Sequence, residues 1–101
     1  MTYDYELILI QKDVDYDEVG NQIPIEKKIS ILCGKKSVGR TEFYNAAANN
    51  LKPEIVFEIH GYEYSGETEV EFNGKRYTVI RTYEVDFENL ELTCEVKRSN
   101  G

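Results

Sequence analysis

Residues 69–85 read EVEFNGKRYTVIRTYEV, and this stretch decides the fold. At its centre Asn73-Gly74 is the strongest short-range signal for a two-residue hairpin with a type I′ turn. Both central positions of that turn need positive φ, which Asn and Gly reach at least cost. The arms, Glu69–Phe72 and residues 75–85, are rich in aromatic and β-branched side chains that fit a pleated surface. In the second arm Tyr77, Val79, Tyr83 and Val85 share a face with Arg81.

Strands extend outward from this hairpin in both directions. Downstream, Leu90, Leu92, Cys94 and Val96 alternate with Glu91, Thr93, Glu95 and Lys97, which reads as a last strand before a frayed tail at 98–101. Upstream, Ile55–His60 is a strand and residues 61–66 a turn-rich bend. Residues 3–10 form a β-favouring run apolar enough on both faces to be covered. Residues 25–33 alternate as well, with Lys27 breaking the apolar face near a start that is open to solvent. Between these two runs, residues 11–22 hold Asp13, Asp15, Asp17 and Glu18 before Gly20-Asn21, and read as a long hairpin connection.

One segment has a different period. Residues 34–39 are a glycine-bracketed loop, and residues 40–49 read as a helix of about three turns. Phe43, Ala46 and Ala47 form its single apolar stripe, Asn49-Asn50 stops it, and Pro53 forces Lys52 toward an extended conformation. Six strands and one helix without a βαβ rhythm predict a mainly β domain. The expected form is a small antiparallel barrel or sandwich with one short α-helix in a loop insertion at about 34–53.

Length and charge agree with a single small domain. At 101 residues the chain is one domain by size, with a thin stability margin. No apolar run approaches the roughly 20 residues a bilayer crossing needs, so no membrane partner is expected. The N-terminal residues carry no positive flank and no small-residue cleavage site, as in a chain made to stay in a cytoplasm. A net charge of −7 works against phosphate-dominated nucleic-acid binding.

Candidate sites are few. Cys33 and Cys94 fall on apolar faces and read as reduced, semi-buried thiols. With one histidine they fall short of a usual zinc ligand set, so no metal and no cofactor is expected. Counted from Asp13, the sixth and twelfth positions of a calcium loop hold Glu18 and Pro24, where Gly and an acid are required. His60 is the sole obvious general base, but no nucleophile signature accompanies it, and no catalytic residue is expected.

A charge asymmetry carries more. Lys27, Lys28, Lys35, Lys36 and Arg40 lie between Glu26 and Glu42 with no acid inside, while Glu54, Glu58, Glu63, Glu67, Glu69 and Glu71 crowd the following strands. Such polarity fits a molecule that docks head to tail, its basic loop against a neighbour's acidic strand face. The expected contact residues are Lys35, Lys36, Ser37, Arg40, Glu42, Phe43 and Tyr44, with Phe43 anchoring the helix to the core and Tyr44 free for a partner. A ligand-binding alternative, an OB-like barrel for a glycan or peptide, would use Tyr62, Tyr64, Tyr77 and Tyr83 as a stacking platform.

The order of these signals resembles the phage head-closure proteins, the stopper components of the head–tail connector. Ser37-Val38-Gly39-Arg40-Thr41-Glu42-Phe43-Tyr44-Asn45-Ala46 is similar to the family's central segment, and Leu51-Lys52-Pro53-Glu54 to the stretch after it. Asp17-Glu18-Val19-Gly20-Asn21 resembles the first hairpin. Tyr64-Ser65-Gly66-Glu67, Asn73-Gly74-Lys75-Arg76-Tyr77, Arg81-Thr82-Tyr83 and Leu90-Glu91-Leu92-Thr93-Cys94 follow in order. Many members carry a tryptophan around the second strand, and this chain has none. The resemblance implies a structural virion protein, made in the host cytoplasm from a phage or prophage gene. It implies a homo-oligomeric ring beneath the portal and adaptor that closes the filled head and presents a docking surface to a tail-completion protein. DNA would pass through the ring without sequence-specific binding, and residues 35–50 would be its gating and assembly element.

Overall fold

A computed structural model describes residues 3–98. Six strands, β1 (Tyr5–Tyr16), β2 (Gln22–Lys36), β3 (Ile55–His60), β4 (Glu69–Phe72), β5 (Lys75–Glu84) and β6 (Asn89–Val96), close into an antiparallel barrel in the order β1-β2-β3-β6-β5-β4. One helix, α1 (Arg40–Ala47), is inserted between β2 and β3, and a single 3₁₀ turn, Gly61–Glu63, follows β3. The expected mainly β barrel with one short helix is what forms.

The turn that decides the fold has the expected geometry: Asn73 at φ 51° and Gly74 at φ 77° join β4 to β5. Closure comes from a short pairing, Ile8–Ile10 of β1 against Glu71–Glu69 of β4. The interior is filled by Leu7 and Leu9 of β1, Ile31 and Cys33 of β2, Phe57 and Ile59 of β3, Val70 and Phe72 of β4, Tyr77 of β5, and Leu92 and Cys94 of β6. Phe57 sits between Phe72 (ring centroids 5.1 Å) and Tyr77 (5.9 Å). Both cysteines are free and buried, and burial pushes the thiol pKa of Cys33 up to about 11 and that of Cys94 to about 12, so neither is a ready nucleophile.

Several boundaries differ from the sequence reading. Residues 11–22 are not a long connection: β1 runs to Tyr16, β2 starts at Gln22, and only five residues turn between them. Asp17 builds that turn, its carboxylate accepting the backbone N–H groups of Val19 and Asn21. The acids at 13 and 15 are compatible with strand because this part of β1 pairs only with β2, leaving both faces to water. The result is a two-stranded ribbon projecting beyond the barrel wall, on a molecule measuring 51 × 32 × 24 Å.

Gly34, Lys35 and Lys36 likewise belong to β2, paired with Glu58, Phe57 and Val56 of β3, so the loop before the helix is shorter than expected. In β5 an irregularity lies between Val79, opposite Cys94, and Arg81, opposite Thr93. The extra residue reverses the alternation, so Tyr83 and Val85 are exposed and do not continue the face of Tyr77. The tail is held at its first residue: the Arg98 guanidinium donates to the Asn50 carbonyl (2.6 Å) and pairs with Glu95. The rest of the expected tail, 99–101, lies outside the described residues.

The barrel's outer face carries a charge cluster at the root of the ribbon. Glu69 is only 5% exposed, and its carboxylate meets Lys12 of β1, Arg76 of β5 (3.0 Å) and Lys97 (2.8 Å). Hydrogen bonds from Lys12 and then Lys97 hold its pKa down at about 2, well below the ordinary 4.5. Arg76 also reaches Glu26 of β2 at 3.3 Å, and Lys28 reaches Glu71 at 3.6 Å, so these contacts pin the ribbon's root against β4 and β5.

Candidate functional site

The helix-bearing segment is the natural place to look, because α1 has no buried residue and sits outside the closed wall. Its start is uncapped by any side chain: Gly39 is extended (φ −66°, ψ 149°) and its carbonyl accepts from Phe43 N–H. Its end uses Asn50 in the left-handed region (φ 61°), with Leu51 N–H returning to the Ala46 carbonyl. The asparagine stop is as expected, with Asn50 three residues after Ala47, the last residue of α1.

Polar contacts tether the segment to β5 and β6. Glu42 accepts from the Thr93 hydroxyl (3.1 Å) and pairs with Arg81 (3.3 Å). Lys52 N–H donates to the nearly buried Glu95 carboxylate at 2.9 Å. Pro53 is buried where the chain re-enters the wall. Phe43 does not anchor the helix in the core: it is 44% exposed and absent from the barrel interior. The barrel is closed and filled without it, which leaves the helix the outside of β5 and β6 to rest on. Tyr44 is 65% exposed, as expected for an aromatic off the stripe, with its ring edge-on to Phe43.

Of the two lysines read as free loop charges, both are engaged within the molecule. The Lys35 ammonium lies over the Tyr5 ring at 4.6 Å and near the Phe72 ring at 5.5 Å. Lys36 pairs with Glu91 of β6, and that hydrogen bond raises its pKa. Their place in β2 explains this, since strand residues project over cross-strand neighbours where loop residues project into water. Ser37 is exposed beyond the end of β2. Arg40 is exposed at the head of α1 and makes no ion pair among the described residues.

The acidic strand face is also largely spent internally. Glu54 pairs with Lys75 and Glu71 with Lys28. Glu69 sits in its cage, and the buried Glu67 accepts from Ser65 N–H and Gln11. Acids without ion partners among the described residues stand along β1 and the ribbon turn, at Glu6, Asp15, Asp17 and Glu18, and around the β5–β6 turn, at Glu84, Asp86 and Glu88. One expected result of this engagement concerns Lys36. A Lys36→Glu variant would place two carboxylates together and lose about 1 kcal/mol or more. Arg40→Glu should be neutral within about 0.5 kcal/mol. Urea midpoints of the two variants check this, and equal midpoints would contradict the Lys36–Glu91 contact.

The four tyrosines do not form a platform. Tyr77 is in the core, Tyr64 is half-buried with its hydroxyl donating to the Glu67 carbonyl, and Tyr62 and Tyr83 stand exposed on different elements. His60 stacks on Tyr62 (centroids 5.5 Å, planes 12° apart) and leans on Tyr3 at 4.6 Å. Among the described residues its ring makes no side-chain hydrogen bond to an acid or hydroxyl, and no three His, Cys, Asp or Glu side chains converge as metal ligands would.

Two features were not read from the sequence. One is an apolar groove of about 760 Å³ between α1 and the end of β6, floored by Phe43, Ala47, Leu51, Pro53 and Val96. The other is the tip of the β5–β6 turn, where Phe87 is fully exposed. A phenylalanine between Asp86 and Glu88 in a polar turn, off any alternation, was the available signal. No protein-family model matches this chain, and no curated protein matches its sequence.

Proposed function

We propose that this protein is a structural subunit of a tailed-phage connector, a head-closure protein that assembles as a ring beneath the portal and adaptor. The observation that carries the reading is the segment between β2 and β3. There the family-like run from Ser37 to Ala46 coincides with a helix held outside a closed barrel, with Phe43 and Tyr44 turned to solvent. A closed barrel whose interior is filled by eleven packed core side chains among the described residues is a rigid body. What it offers is projections: the β1–β2 ribbon, the helix and the β5–β6 turn.

An acidic surface suits a DNA conduit, since a basic lumen would hold the passing polyanion. The contact surface in this reading is carried by Arg40, Phe43 and Tyr44, with Glu42 holding the helix in place. Lys35 and Lys36 support the wall from within β2. The biochemical test is addition of purified protein to DNA-filled, tailless heads that carry their portal. The expected result is binding at the portal vertex and retention of the genome against nuclease. Protein that leaves the heads leaking as before would contradict the proposal.

A further inference from the structure

We infer that the β5–β6 turn of one copy docks into the helix-side groove of the next, with Phe87 as the anchoring side chain. Phe87 is fully exposed, yet the turn that carries it is rigidly built. The Asp86 carboxylate accepts from Glu88 N–H (2.9 Å), Asn89 N–H (2.9 Å) and the Asn89 amide (3.0 Å), and Val85 N–H donates to the Asn89 carbonyl. A preorganised aromatic knob in water loses little entropy on docking, the property of an anchor residue.

The groove complements it in shape and charge. Its floor is apolar and open, large enough for an aromatic ring with its neighbours. Arg40 shares the helix face of Phe43 and Ala47 by its spacing, and Lys52 lines the rim. Neither cation has an ion partner among the described residues, whereas the two acids of the groove's wall are engaged, Glu95 by Arg98 and Glu54 by Lys75. Glu84, Asp86 and Glu88 on either side of the knob have no ion partner among the described residues. Free acids thus flank the knob and free bases flank the groove.

A second copy is the occupant because one chain cannot satisfy itself. The knob stands just before the first residue of β6 and the groove beside its last, about 23 Å apart along an eight-residue strand. Knob and groove on opposite ends of one rigid body make a heterologous contact, which propagates head to tail and closes when the rotation permits. The inference rests on the ring reading above and names the contact that would build the ring.

Sedimentation of the purified full chain across concentration tests it. Wild-type protein is expected to self-associate, and Phe87→Ala to raise the dissociation constant by about thirtyfold or more. Ala47→Glu, which places an acid in the groove from an exposed helix position, should do the same. Mixing the two variants should restore one contact, since the first retains its groove and the second its knob, and give a 1:1 complex that grows no further. Circular dichroism matching wild type verifies that both variants are folded. Three results would overturn the inference: wild-type protein still monomeric at about 1 mM, F87A associating as wild type does, or no 1:1 complex in the mixture. None of these touches the genome-retention test, so the contact and the connector reading fail separately.

Discussion

Phe57→Ala is expected to leave the protein only marginally folded at ordinary temperature, with most of its resistance to denaturant gone. Phe57 is fully buried at the centre of the barrel, with its ring against Phe72 and Tyr77, and it belongs to the strand that links β2 to β6. Removing a buried phenylalanine costs about 3–5 kcal/mol through lost transfer energy and the cavity left behind. Total stability for domains of this kind is about 5–15 kcal/mol, and a domain of this length belongs toward the lower end. The loss is therefore comparable with the whole margin. A closed wall makes the site slow to collapse, because each strand is fixed by two neighbours. Chemical denaturation monitored by tyrosine fluorescence and far-ultraviolet dichroism reads the effect. A variant with a midpoint near that of wild type would mean that the interior is not packed around this ring.

Glu69 carries the second large effect, and its sign is set by pH. Its carboxylate is nearly buried among Lys12, Arg76 and Lys97, with a pKa of about 2 in the folded protein against an ordinary 4.5. A carboxyl depressed on folding contributes stability that is fully present above about pH 4.5 and is lost as pH falls toward 2. Because Lys12 and Lys97 are themselves half exposed, the contribution is about 2–3 kcal/mol, less than the shift alone would give. Glu69→Gln is expected to lose about that amount at pH 7, leaving three cations around a neutral side chain. At pH 2 the two proteins should approach each other. The comparison isolates Glu69, since Asp13, Asp17 and Asp86 also titrate low but are common to both proteins. A constant difference between them from pH 7 to pH 2 would contradict the cage.

The parts of this fold visible in the sequence were those fixed by neighbours along the chain. Asn73-Gly74 dictates a hairpin by backbone sterics alone, and Ile55–His60 and residues 90–96 declare themselves by continuous or alternating apolar character. The helix was visible through Phe43, Ala46 and Ala47, and its stop through Asn49-Asn50. What stayed hidden depends on partners distant in sequence. Asp13 and Asp15 look like a loop until β2 is set beside them with water on both faces. Lys35 and Lys36 look free until Tyr5, Phe72 and Glu91 arrive from three other strands. The change of face in β5 rests on one extra residue, and alternation counted along a single strand cannot anticipate it.

The candidate site divides in the same way. Tyr44 was recognisable as surplus to the helix's own packing, and it is exposed. Phe43 departs from the expectation that it anchors the helix, because the one apolar stripe of a short helix normally faces a core, and here the core is complete without it. Glu42, one of the expected contact residues, is tethered to Thr93 and Arg81 within the molecule. The groove could not be read because its floor comes from the helix, the segment before β3 and the end of β6.

The central claim, our proposal that this chain closes the head of a tailed phage, is tested most directly by electron microscopy of the particles made when its gene is deleted. The account predicts normal numbers of DNA-packaged heads and free tails that fail to join, with many heads losing their genomes, and rescue by the wild-type gene supplied in trans. Complete, infectious, tailed particles in the deletion would contradict it.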